Sequence, residues 1–412
     1  MNDAATRGQP RALAEVGSMI LGAAPHALLL VGPAATGKTT LALDLAAGLL
    51  CRDPDPAARP CRVCRGCRQV ASGNHRDLHR LFPEGPGGEI KIGDPRHPEP
   101  GTVRHLIGEL ALLPAEGGAR VAIVEQAHRL NEDAQNAFLK MLEEPPAGVT
   151  IILCADDEEC LLPTVRSRCV RIALGAVGGR EIEGWLGELG VADAPRAARL
   201  ARLAGGRPGL ALAYARSAEA ERLRGEIARG IFDMLGEGRQ ARLSSVRELM
   251  KSALALDRAL DDARRDWKAT DQAVASGSPR GRKAKLTRPV ESDVTDDAGA
   301  DEAASPKLAA SDRRSAAGTL IGIWASIGRD LAVATAGVAG QIRELELVDD
   351  IRGAAPGLSA EGLATFLERL TTVSALLDEN VNPELALDVL ALGWPRLEAA
   401  ATAATSQSGR RR

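Results

Sequence analysis

The run Gly32-Pro33-Ala34-Ala35-Thr36-Gly37-Lys38-Thr39 places two glycines around four residues and ends on a lysine and a threonine. That spacing suits a phosphate cradle. Glycine lets backbone N–H groups converge on phosphate oxygens, and the start of a helix adds partial positive charge. Lys38 is placed to reach the outer phosphates and the Thr39 hydroxyl to ligate magnesium, with Thr40 following into the helix. The apolar run Ala27–Val31 before the loop reads as a buried strand, and Thr40–Leu50 after it carries alanine and leucine at helical spacing. Strand, glycine-rich turn and helix is the setting this chemistry needs, so ATP with magnesium is the implied ligand. Holding a triphosphate and cleaving one are separate abilities.

Four of the seven cysteines fall in one segment, Cys51, Cys61, Cys64 and Cys67. The spacing C-x9-C-x2-C-x2-C lets the last three thiolates converge from a tight turn while Cys51 arrives from the end of the preceding helix. This is the ligand set of a closed, structural zinc site. Arg52, Arg59, Arg62, Arg65 and Arg68 surround it and offset the charge of a zinc tetrathiolate. Disulfides and a reduced, metal-free cluster are the rival readings. Disulfides rarely persist in the cytoplasm, and residues Met1–Pro10 lack the apolar core of a signal peptide, so the cytoplasm is the expected location. Cys154, Cys160 and Cys169 have no metal-like spacing and read as packing residues.

Hydrolysis needs more than a cradle: an acid at the end of an apolar strand to position magnesium, and a carboxylate beside it to orient the attacking water. The strand Val121-Ala122-Ile123-Val124 ends in Glu125-Gln126. Glu125 can serve the metal. Gln126 stands where the water-activating carboxylate belongs, and an amide does not accept that proton at neutral pH. Losing such a base typically costs about 100- to 10,000-fold in rate. Glu132 and Asp133 are the acids nearest in sequence that could substitute.

These residues require an α/β frame, and the first 170 residues supply its alternation. Strands are expected at Ala27–Val31, Leu78–Phe82, Val121–Glu125 and Thr150–Ala155, with helices near Thr40–Leu50, Val103–Leu113 and Glu132–Glu144. The last helix starts after Asn131, a suitable N-cap, and stops at Pro145-Pro146. Residues 171–216 read as a small helical module broken at Gly205-Gly206-Arg207-Pro208-Gly209. Residues 217–404 read as Leu/Ala-rich helices, interrupted at 267–314 by a basic block followed by an acidic one. That interruption, too poor in apolar residues to bury, is expected to be disordered, as is the tail 405–412. It is a solvated linker, or its basic half touches DNA.

At 412 residues, two or three domains are expected. No apolar stretch is long enough to span a membrane. A net charge of −3 gives no global pull toward nucleic acid, and 2% aromatics argue against base-stacking platforms. A free-standing DNA-binding protein is therefore disfavoured.

The segment Leu130-Asn131-Glu132-Asp133-Ala134-Gln135-Asn136-Ala137-Phe138-Leu139-Lys140-Met141-Leu142-Glu143-Glu144-Pro145-Pro146, followed by Ser167-Arg168-Cys169, resembles the bacterial DNA polymerase III clamp-loader subunits. It is most similar to the delta-prime type. The cysteine insertion after the loop helix, and Gly8-Gln9 and Pro25-His26-Ala27 near the start, fit the same family. The resemblance covers roughly residues 8–215. It implies an AAA+ fold with a RecA-like parallel sheet, a helical lid and a C-terminal helical collar that assembles into a five-subunit ring. That ring uses ATP to place a sliding clamp on primer-template DNA, with gamma/tau and delta subunits as neighbours and polymerase activity in another subunit. Hydrolysing members carry Asp-Glu where Glu125-Gln126 stand, a threonine near Ala155-Asp156 and a lid arginine near Gly209, with Arg207 close by. By the same resemblance Arg168, with Arg166 two residues earlier, reaches a neighbouring subunit's γ-phosphate as an arginine finger in trans. The implied role is a stator with weak or no ATPase; the alternative is a gamma/tau-type motor.

Overall fold

The computed structural model describes residues 4–22, 24–83, 88–116, 118–275, 310–378 and 381–397. The chain divides into two compact units, one of Met1–Arg216 with Asp261–Ser311, the other of Ser217–Leu260 with Asp312–Arg412. The central part of the charged interruption and the tail 405–412 lie outside the described residues.

The first unit is built on a five-stranded parallel sheet in the order β2-β3-β4-β1-β5. Its strands are β1 (Ala27–Val31), β2 (Leu78–Leu81), β3 (Arg120–Val124), β4 (Val149–Ala155) and β5 (Val170–Ala173). β1, β3 and β4 are buried along their whole length, as strands covered on both faces must be. Alternation along β1 divides the core between the faces. Leu28 and Leu30 pack toward α1 (Pro10–Leu21) and α2 (Lys38–Leu49), whereas Leu29 and Val31 pack toward α4 (Val103–Leu110) and α5 (Glu132–Glu143). The Asn131 side chain caps α5 by accepting from Ala134 N at 2.9 Å, as its position in the sequence requires.

Several boundaries differ from the sequence expectation. β5 was not expected: it is four residues long, and only Ile172 of it is buried. α1 is likewise additional to the expected elements. α4 ends at Leu110, so Leu112 and Leu113 are solvent-exposed in the loop that follows. A short α3 (Arg65–Ala71) lies within the cysteine segment. A four-residue α6 (Pro163–Arg166) precedes β5. Helices α7 (Gly179–Glu188), α8 (Ala194–Ala204) and α9 (Pro208–Arg216) follow the sheet, and the break between the last two falls at Gly205-Gly206-Arg207.

The second unit is helical. It comprises α10 (Ala218–Asp233), the first part of α11 (Arg239–Ala275), most of α12 (Ala310–Thr335), and then α13 (Val348–Ala354), α14 (Ala360–Asp378) and α15 (Pro383–Gly393). Residues 267–275 and 310–314, expected to be disordered, are helical ends of α11 and α12. Trp324, Phe366 and Trp394 meet with ring centroids 4.7–5.9 Å apart. The Trp394 indole donates to Ile231 O at 3.1 Å. No helix among the described residues is long and apolar enough to cross a membrane.

Candidate functional site

The loop Gly32–Thr39 joins β1, second from the sheet edge, to α2. A Cβ on Gly32 would lie 2.2 Å from Leu174 O, so only glycine lets β5's exit pass this close. Gly37 has φ +103° and caps α2 in a left-handed conformation that a side chain would strain. The Thr36 hydroxyl donates to Pro33 O at 2.8 Å and closes the turn. From the lid, Gly209 N donates to Ala35 O at 3.1 Å, so the N-terminus of α9 rests on the loop. Gly209 brings no cation there, and the Arg207 Nε donates to Ala204 O at 3.0 Å.

Both charged groups expected to serve a nucleotide are already paired within the chain. The Lys38 ammonium donates to Gly32 O at 2.6 Å and Pro33 O at 2.8 Å, and it pairs with Asp156 Oδ1 at 2.6 Å. Glu125, at the end of β3, accepts from the Thr39 hydroxyl at 3.4 Å and from Arg80 Nε at 3.0 Å. Arg80 also closes a second contact to the same carboxylate. Thr39 and Glu125 therefore converge as a magnesium site requires, with a guanidinium on the acid's far side. Gln126 is exposed and adopts φ +51° at the turn out of β3. Glu132 and Asp133 are exposed in the first turn of α5. Sequence reading missed Arg80 and gave Asp156 no role. Only the structure reveals the second: Ala155 pairs with Val31, which sets the next residue beside the loop.

Arg168 follows α6. Its guanidinium donates to Thr164 O at 2.8 Å and pairs with Glu143 at the end of α5. The side chain is 33% exposed. Its partners are thus outside the phosphate loop, and the ion pair holds it without burying it. Arg166 pairs with Glu159 at 2.7 Å.

The sulfurs of Cys51, Cys61, Cys64 and Cys67 lie within 4.8 Å of one another, and no disulfide joins them. Cys51 is just beyond the end of α2, and Cys64 caps α3 by accepting from Cys67 N at 3.4 Å. Burial opposes ionisation of Cys64, but backbone N–H groups of Arg52 and Cys67 outweigh it and bring the thiol down to about 6. Burial pushes Cys51 and Cys67 up. Four soft donors at this separation, one readily a thiolate, fit a tetrahedral zinc ion. The module is tied to the loop helix: Arg62 pairs with Asp44 of α2, whose carboxylate also accepts from Thr6 N at 2.9 Å. One expectation fails here. Cys154 is buried and Cys169 half-buried, but Cys160 is exposed and packs no core.

A parallel sheet in this order, with a phosphate loop between β1 and α2 and a helical lid resting on that loop, defines a P-loop α/β architecture. Residues 9–177 match the family model described as DNA polymerase III, delta subunit. The DNA polymerase III subunit delta' of Pseudomonas aeruginosa is 35% identical over 232 residues, which is 56% of this chain and 63% of that protein. In Escherichia coli (strain K12), subunit delta' is 34% identical over 198 residues, 48% of this chain and 57% of that one. Subunit tau of the same strain is 34% identical over 184 residues, 44% of this chain and 27% of that one. The chain thus spans less than two-thirds of each relative's length. Over the matched region it is similar to DNA polymerase III subunits delta' and tau.

Proposed function

We propose that this chain is a delta-prime-like stator of a DNA polymerase III clamp loader. It assembles with gamma/tau and delta subunits and, through that complex, meets the sliding clamp and primer-template DNA. Its chemical contribution is Arg168, offered in trans to a neighbour's triphosphate. A guanidinium there neutralises charge spread over the transferring phosphoryl group, an effect worth about a thousandfold or more. The observation that carries this reading is the pairing of a lost base with a kept arginine. Gln126 stands where the water-activating acid belongs, while Arg168 is partly exposed and its side-chain bonds go to Thr164, Ser167 and Glu143, none of them in the phosphate loop.

If ATP binds, the backbone of Gly32–Thr39 and Lys38 hold the phosphates, and Thr39 with Glu125 hold magnesium, which would offset phosphate charge. Gln126 does not take a proton from water, so the site holds nucleotide without turning it over. Zinc on the four cysteines is structural: with four protein ligands it leaves no position for substrate.

The equal identity to delta' and tau relatives favours testing a second reading, a gamma/tau-type motor, beside the first. ATP turnover by the purified chain alone separates them. The stator reading predicts turnover at background level, unchanged by Lys38→Ala. Turnover that Lys38→Ala abolishes contradicts it and favours the motor.

A further inference from the structure

The geometry points to Asp156 as a residue that competes with nucleotide phosphate for Lys38 and thereby sets how tightly the loop binds nucleotide. A lysine ammonium has three donors. Those of Lys38 go to Gly32 O, Pro33 O and Asp156 Oδ1, at 2.6, 2.8 and 2.6 Å. The side chain that should greet an outer phosphate has no donor left for one.

The two halves of the pair differ in accessibility. The Lys38 side chain is 8% exposed and that of Asp156 is 37%. The carboxylate therefore stands on the open side of the ammonium, where a ligand oxygen has to arrive. Its position is fixed by backbone. Ala155 pairs with Val31, Gly32 N donates to Ala155 O at 3.3 Å, and Asp156 N donates to His128 Nδ1 at 3.2 Å. The second carboxylate oxygen lies 4.0 Å from His128 Nε2. Asp156 is thus delivered to the loop by the end of β4 and steadied by the turn after β3.

An incoming phosphate must either break the Lys38–Asp156 pair or crowd a second anion against the same ammonium. Both weaken binding. A charge-assisted bond of this kind is strong enough that releasing it should change affinity by about tenfold or more.

This inference rests on reading Gly32–Thr39 as a nucleotide cradle, and not on the role given to Arg168. Calorimetric titration of ATP and of ADP, each with magnesium, into the full chain tests it. Asp156→Ala should bind about tenfold or more tightly than the unaltered chain. Asp156→Asn, which keeps the shape and loses the charge, should also tighten binding, and it carries the test if the alanine variant does not fold. Lys38→Ala should abolish the gain when combined with either change. Equal or weaker binding by the Asp156 variants overturns the proposal, as does a gain that survives Lys38→Ala. Absence of binding in every form overturns it too. None of these outcomes touches the arginine reading, which is judged on a neighbour's turnover.

Discussion

Arg80 and Asp156 neutralise the two charges that a magnesium–nucleotide complex would otherwise satisfy. Arg80 does so for Glu125, its guanidinium on the carboxylate that faces Thr39. A guanidinium at this distance already offsets the carboxylate's charge and lessens its need for a metal. Replacing Arg80 with Ala should therefore increase the metal dependence of nucleotide binding. The ratio of ATP affinity with magnesium to that with EDTA is expected to rise about tenfold, on the scale of one charge-assisted contact. Titration calorimetry reads the ratio directly; an unchanged ratio would show that Arg80 does not stand in for the cation. The cysteine cluster offers a second residue-level test. Purified chain should carry about one zinc, and chelation should lower the melting temperature, because metal affinity is folding free energy. Full stability without metal would count against a zinc site.

At the scale of elements, most of the sheet could be read from the sequence because β1, β3 and β4 are continuous apolar runs bounded by turns. β5 escaped because it is short, alternates about a single buried residue, and carries Arg171, which pairs with Glu158 at the surface. The apolar pattern of α4 runs on through Leu112 and Leu113, past the helix end at Leu110, although both are exposed. The loop and the cysteine cluster were legible from spacing alone. The ion pairs of Lys38 and Glu125 were not: each joins residues distant in sequence, and only the strand order reveals that they meet. In the helical unit the burden falls on a few large side chains, since aromatics are only 2% of the chain. Trp394 is 2% exposed and touches both Trp324 and Phe366. Trp394→Ala should cost about 3–5 kcal/mol, the range for removing a buried aromatic. Denaturant unfolding checks this, and a loss below about 1 kcal/mol would show that the site collapses to fill the cavity. The buried pair Arg224–Glu344 and the Arg242 guanidinium, which donates to Pro395 O at 2.9 Å, hold other parts of the same unit.

For the whole molecule, the residues that remain and those that are lost point to a division of labour between chains. The cradle and its helix are intact and braced by the cysteine module through Asp44 and Arg62. On the proposed reading Gln126 stands at the position of the hydrolytic base, and the arginine after α6 is kept accessible by its contacts to Thr164 and Glu143. On the proposed reading this chain contributes to ATP hydrolysis only in company. The most direct test is the DNA-stimulated ATPase of a clamp loader reconstituted with Arg168→Ala in this chain. The account predicts normal assembly and a fall of about a thousandfold in turnover at the one neighbouring site that Arg168 faces. Normal turnover at that site in a fully assembled ring would contradict it.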